Sequence, residues 1–421
     1  MGVVFLSPAS KKESKVSLQQ RKVLRVLSSA QILSGMGVSG TFAAGSLLVS
    51  QISNSETLAG LAQTTSVLGA AAMALPLARL TQRGGRRLAL STGYSIGAIG
   101  ALFAIFGGSQ KILFIMLMGT FLVGAASASA YQARFAAIDL ATNESRSKNL
   151  SFVVWASTVG AVTGPNLMAP SGHIATALGL PKLVGPYLIA SVTLTLATIV
   201  IRLFLKPDPY LTANIASDGV TQKKHESTRM VLIHIRSNPK SLFAIATIAV
   251  GHLVMVSIMS MTPVHMAHVK VQLSIIGIVI SVHVLGMYAF SPLVGWLTDQ
   301  IGHIKVIQIG VVLLLLAAVV SGSAEAMDAV RLGIGLFLLG LGWSCTLIAG
   351  STYLSESVSV EMKPASQGAS DLVMNLTGAL GGALSGVIIG TIGYGWLCTF
   401  AVVPVVILAF WSLKISSLTV K

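Results

Sequence analysis

The sequence predicts an all-α membrane protein of 12 transmembrane helices in two six-helix bundles, with both termini cytoplasmic. Three observations carry that expectation. Only 10% of the 421 residues are charged, against roughly 25% in an ordinary soluble domain. Twelve predominantly apolar runs can be marked off, each near the ~20 residues that cross a ~30 Å hydrocarbon core. Finally, 24 of the 28 Lys and Arg fall on one side of the resulting topology, the side that the positive-inside rule assigns to the cytoplasm.

In chain order, a basic N-terminal tail (1–23) precedes a first run at about 24–50. This run is longer than a signal-peptide core and lacks a small-residue cleavage site, so it reads as a retained span. Runs at about 57–80, 88–107, 111–137, 149–170 and 184–205 complete an N-terminal unit, 24–205. A polar stretch, 206–240, with Pro207, Pro209, Lys223, Lys224 and Arg229, reads as a cytoplasmic linker. The second unit, 241–415, has runs at about 241–265, 273–297, 304–322, 330–355, 367–390 and 393–415, and a short tail, 416–421, ends the chain. On the side opposite the termini stand only Lys111, Lys182, Lys270 and Arg331. The net charge of +15 is therefore accounted for by topology. No basic patch is interleaved with stacking aromatics, so the expected partner is the lipid bilayer and not nucleic acid. Cys345 and Cys398 lie on different spans and form no metal or redox spacing.

The two units share a loop. Gly295, Leu297, Asp299, Gly302 and Lys305 follow the second run of the second unit, and 217 residues earlier Leu80, Arg83, Gly85, Arg86 and Arg87 follow the second run of the first. This loop resembles the signature of the major facilitator superfamily, Gly-x-Leu-x-Asp-Arg-x-Gly-Arg-Lys, and with the twelve spans and central linker the resemblance covers essentially the whole chain. It implies the major facilitator fold. The first copy departs from the pattern, with Ala78 for the Gly and Gln82 for the Asp. An acid beside a helix N-terminus is stabilised by the helix dipole, which makes Asp299 the candidate latch of a cytoplasmic gate, or else a helix cap. The fifth run carries Gly160, Gly164 and Pro165, which resemble the superfamily's antiporter motif, although Met168 and Ala169 replace its last two glycines. Close helix packing accounts for these small residues as well as coupling does.

Ionisable residues in mid-membrane are scarce. Thr120 stands where proton-driven antiporters of the superfamily keep an Arg, and Arg134, Asp139, Glu356 and Asp371 fall near span ends, where charge costs less than at the midplane. Asp371 is the candidate for coupling. By contrast, four of the eight His and several Met lie between residues 252 and 287. His252, Met255 and Met259 share a helix face, and His283 and Met287 make the same four-residue step. Thioether and imidazole are ligands that Cu(I) favours. Met-x-x-x-Met followed by His-x-x-x-Met on successive spans resembles the CcoA-like copper importers of the superfamily, which implies Met255, Met259, His283 and Met287 as transient copper ligands. His252, His265 and His268 are secondary capture sites.

The resemblance implies a secondary transporter working by alternating access; a multi-pass location in the plasma membrane and a monomer are the accompanying expectations. It is expected to be no enzyme, to hold no cofactor and to lack an ATP-binding phosphate loop. Copper import leads as the cargo. The alternative is a proton-coupled transporter of a small organic molecule such as a drug or a riboflavin-like compound.

Overall fold

A computed structural model describes residues 8–54, 60–217 and 235–419, together with Leu58 and Ile233. The Lys223, Lys224 and Arg229 part of the linker lies outside the described residues, as do the side chains of Pro165 and His268. The described chain is helical throughout: α1 (Pro8–Ser53), α2 (Leu61–Ser109), α3 (Leu113–Ala136), α4 (Arg146–Asn166), α5 (Met168–Ala177), α6 (Gly185–Phe204), α7 (Pro209–Ser217), α8 (Pro239–His268), α9 (Leu273–Val284), α10 (Ser291–Ile301), α11 (His303–Gly322), α12 (Ala329–Glu356), α13 (Lys363–Thr391) and α14 (Tyr394–Thr419). Among the described residues, ten helical stretches are long and apolar enough to cross a membrane, or eleven if α4 and α5, bent by 55°, form one span. Their outer faces present large apolar side chains such as Leu102, Phe106, Val192, Val312, Leu316, Val319 and Phe410. In water so broad an apolar surface would drive association; in a bilayer it meets lipid tails.

The boundaries follow local chemistry. α4 stops one residue after Pro165, whose missing N–H removes one bond from the helical ladder, and α5 leaves at the new angle. α9 passes into α10 through a π-helical turn, Leu285–Ala289. Such turns close i→i+5 bonds and so need an extra residue to come round. α1 starts at Pro8, well before the expected span, so part of the N-terminal tail is helical.

The repeated loop is visible in the backbone. α2 is interrupted at Gly85 (φ 81°, ψ 178°), and Gly302, between α10 and α11, has φ 90° and ψ 156°. This region is essentially restricted to glycine, so both copies use one residue to reverse chain direction. The two sites differ in surroundings: a Cβ at Gly85 would strike the Asp208 carboxylate, whereas Gly302 has open space around it. Gly302→Ala is expected to cost about 1–3 kcal/mol through backbone strain, and Gly85→Ala more, because Asp208 must also move. Thermal unfolding midpoints in detergent check the order; equal losses would show that the Asp208 contact contributes nothing.

Within the N-terminal part α1 packs on α4 and α6, and in the C-terminal part α11 packs on α12 and α8 on α13. Between the parts, α2 crosses α13 and α4 crosses α10. Small residues permit these approaches, since lipid tails compete for any purely apolar contact and helices in a bilayer gain by coming close. Gly160 lies against the Gly35 backbone and Gly164 against Ser39 and Gly40, with Ser39 Oγ 3.1 Å from the Gly160 carbonyl it donates to. The glycines of the fifth-span motif therefore form the α1–α4 seam. Gly295 does the same between the parts, lying against Ser147 and Ser151 of α4.

Candidate functional site: a central cavity above a sealed basic end

Here the basic end means the end carrying Arg79–Arg87, Arg146–Lys148 and Lys305. Across it, Asp299 at the end of α10 receives two backbone bonds from the first turn of α4, Ser147 N to Oδ1 at 2.9 Å and Lys148 N to Oδ2 at 2.8 Å. The first N–H groups of a helix have no partner within it, and a carboxylate there gains both hydrogen bonds and the dipole. Asp299 is thus a helix cap supplied from the opposite part, so the cap and the candidate latch are the same contact. Arg146 and Glu356 add an ion pair at 3.1 Å, and Ser147 and Thr352 hydroxyls lie 3.2 Å apart.

The first copy is wired differently. Gln82 is buried and its Nε2 has no partner. At the start of α13 the N-cap residue, Met362, makes no side-chain cap bond. Instead Arg86 forms a fork to Asp139 (2.8 and 3.2 Å) and donates across to Gln367 of α13 at 2.6 Å. Asp208 accepts from Arg87 N at 2.7 Å, beside the Gly85 reversal. Arg83 and Lys305 are solvent-exposed.

Farther into the molecule, Arg134 of α3 donates through Nη2 to Asp371 of α13 at 2.6 Å, with side-chain exposures of 2% and 1%. Next to this pair is a cavity of about 150 Å³ between the parts. Its wall draws Gln31, Ser34 and Ser39 from α1, Tyr131 and Arg134 from α3, Ser157 from α4, Tyr288 from the π-turn and Trp343 from α12. Gln31 Nε2 donates to the Ala130 carbonyl at 3.3 Å and to Ser157 Oγ at 3.1 Å, joining α1, α3 and α4 behind the wall. The wall therefore offers aromatic faces, hydroxyls and one cation.

The Met and His side chains stand elsewhere. Met255 is buried in the apolar core and Met259 packs against that core. His283 is fully buried, with Nδ1 2.7 Å from the Leu336 carbonyl; a carbonyl only accepts, so Nδ1 carries the proton. Nε2 has no partner. Met287 follows within the π-turn, where a step of four no longer returns to the helix face that the sequence pattern assumes. His252 Nδ1 accepts from Trp343 Nε1 at 3.1 Å, placing it behind the wall. His265 stacks on Tyr394 with ring centroids 4.4 Å apart. None of Met255, Met259, His283 and Met287 lines the cavity. Among the described residues no group of three or more His, Cys, Asp or Glu could hold a metal ion.

No sequence pattern marks the wall residues, or Arg134 as the partner of Asp371. Thr120, at the position of the antiporters' Arg, shares a 2.6 Å hydroxyl contact with Thr65.

A mainly apolar, aromatic-walled chamber with a few polar groups, set between two helical parts inside an apolar shell and beside charged contacts that cross the basic end, is the arrangement of a membrane transporter. The chain belongs to the major facilitator superfamily, whose profile matches residues 27–274 and 245–418; its members are transporters, not enzymes. It is 35% identical, over 96% of its length and 94% of the relative's, to an uncharacterized transporter of this type, YdeG of Bacillus subtilis. It is 26% identical to the riboflavin transporter RfnT of Brucella anthropi, over 84% of this chain and 85% of that one. Among solved structures, the superfamily transporter FucP in its outward conformation aligns with a TM-score of 0.70 at 15% identity, covering 92% of this chain and 98% of FucP. This last likeness is one of fold.

Proposed function

We propose that the chain is a monomeric, twelve-span, alternating-access carrier of the plasma membrane whose cargo is a small organic molecule held in the central cavity. Counting the limbs of α2 on either side of Gly85 separately, and α4 with α5 as one bent span, supports the twelve, in bundles 24–205 and 241–415. The one-sided distribution of Lys and Arg supports cytoplasmic termini. On that orientation the sealed end is cytoplasmic, Asp299 is its latch, and the carrier faces outward. Arg134 and Asp371, joining the bundles beside the cavity, are the coupling pair, with a proton as the coupling ion.

One observation carries the choice of cargo: a mainly apolar cavity wall that includes Tyr131, Tyr288, Trp343, Gln31 and serine hydroxyls, groups that hold planar organic molecules by stacking and hydrogen bonds. The relative named as a riboflavin transporter agrees with it. A second reading, copper import through Met255, Met259, His283 and Met287, keeps one observation in its favour. The tautomer of His283 leaves an unprotonated, unpartnered Nε2 in a buried site, as a metal ligand requires.

Uptake into cells tests both. Riboflavin, a panel of monocyclic aromatic compounds, and copper are compared for the intact chain, for Ser127→Trp, which fills the cavity, and for Met255→Ala with His283→Ala. At least one organic probe is expected to accumulate with the intact chain. Its uptake should fall roughly tenfold or more with Ser127→Trp, as expected when a ligand's pocket is occupied. Copper accumulation that depends on the chain and disappears in the Met/His variant would reverse the assignment.

A further inference from the structure

Among the described residues that wall the cavity, Arg134 is the one with buried polar atoms that lack partners: Nε and Nη1 have none, and Nη2 makes the single bond to Asp371. Several other polar groups of the wall are engaged. Gln31 Nε2 has two acceptors and its Oε1 accepts from Tyr94, Ser39 Oγ donates to the Gly35 carbonyl, and Trp343 Nε1 donates to His252. A guanidinium carries five in-plane donors. Aromatic rings attend this one, with Cζ 4.7 Å from the Phe135 centroid and 5.8 Å from that of Tyr131. Nε and Nη1 are buried without partners and lie on different sides of the guanidinium, so a parallel pair of N–H groups combines one of them with the second N–H of Nη2, and such a pair is matched by the oxygens of a carboxylate or phosphate. The cavity's 150 Å³ is the space of a single six-membered ring.

We propose that the cargo is an organic anion, a monocyclic aromatic ring bearing a carboxylate or phosphate, whose oxygens accept hydrogen bonds from the N–H groups of Arg134 that Asp371 leaves open. The ring lies among Tyr131, Tyr288 and Trp343. This assignment rests on the organic-cargo reading above and narrows it to a charge class.

The test is equilibrium binding of radiolabelled benzoate, phenyl phosphate and benzamide to the full-length chain in detergent. Benzoate and benzamide are nearly equal in size and differ in charge. One of the two anions is expected to bind at least about tenfold more tightly than benzamide, the margin of a charge-assisted over a neutral hydrogen bond; which one wins separates carboxylate from phosphate. Arg134→Gln leaves Asp371 without its partner, so it is paired with Asp371→Asn in a double variant whose folding is verified by a single symmetric size-exclusion peak. In that variant the anion preference should vanish, and Arg134→Lys should keep part of it. Benzamide binding as tightly as the anions would overturn the proposal while leaving organic cargo in place. Failure of all three probes to bind would also overturn it, and the uptake panel then shows whether the broader reading falls as well.

Discussion

Arg134→Ala is expected to destabilise the protein by about 3–5 kcal/mol, and Asp371→Ala by a similar amount, the cost of leaving one member of a buried ion pair uncompensated. Both side chains are almost wholly shielded, at 2% and 1% exposure. Each charge was brought out of water at a cost of several kcal/mol, offset mainly by the other. Neutralising the two together removes the attraction and the desolvation penalty at once. Arg134→Gln with Asp371→Asn should therefore unfold within about 1–2 kcal/mol of the parent, although it loses coupled transport. Unfolding in detergent for the four proteins of the double-mutant cycle measures this. Additive losses, with no recovery in the double variant, would show that the two residues do not depend on each other.

Asp299→Ala is expected to open the basic end. The carboxylate holds two backbone N–H groups of α4 from the opposite part of the molecule. Loss of a helix cap costs up to about 2 kcal/mol, and the loss falls only on the closed state. Since about 1.4 kcal/mol is a factor of ten, the open form should gain roughly fivefold in population for a typical cap and up to about thirtyfold at that limit. Spin labels at Thr142→Cys and Lys305→Cys, both exposed and on opposite sides of the seam, report the change as a longer distance. The native Cys345 and Cys398 are buried and do not compete for label. Gln82→Ala, the matching change in the first copy, should move the distribution little, because Gln82 Nε2 has no partner to lose. Equal responses at the two positions would mean that the copies are equivalent despite their different wiring.

Much of the architecture was legible in the sequence because hydropathy and glycine act locally. Runs such as 304–322 and 330–355 match His303–Gly322 and Ala329–Glu356 to within a residue or two. Gly85 and Gly302 could be paired through their 217-residue offset before any backbone angle was known. The cavity was not legible, for an equally physical reason. Gln31, Tyr131, Tyr288 and Trp343 are single residues on separate helical elements with no shared spacing, and Arg134 meets Asp371 across 237 positions of chain. The Met and His pattern was conspicuous because it was local, and it assumed a regular helix where the chain makes a π-turn at Leu285–Ala289. His283 then spends a ring nitrogen on the Leu336 carbonyl, a contact no sequence pattern announces.

The bond between Arg134 and Asp371 belongs to the chamber wall on one side and to the seam between the two parts on the other. Occupancy and opening are therefore thermodynamically reciprocal. A cargo that draws Arg134 away from Asp371 weakens the seam, and by linkage the open state must then hold that cargo more tightly, by the same factor. A ligand that leaves the bond untouched, however tightly it sits against the rings, shifts this equilibrium only through other contacts that differ between the two states. How far a ligand favours opening thus depends on what it does to this single hydrogen bond.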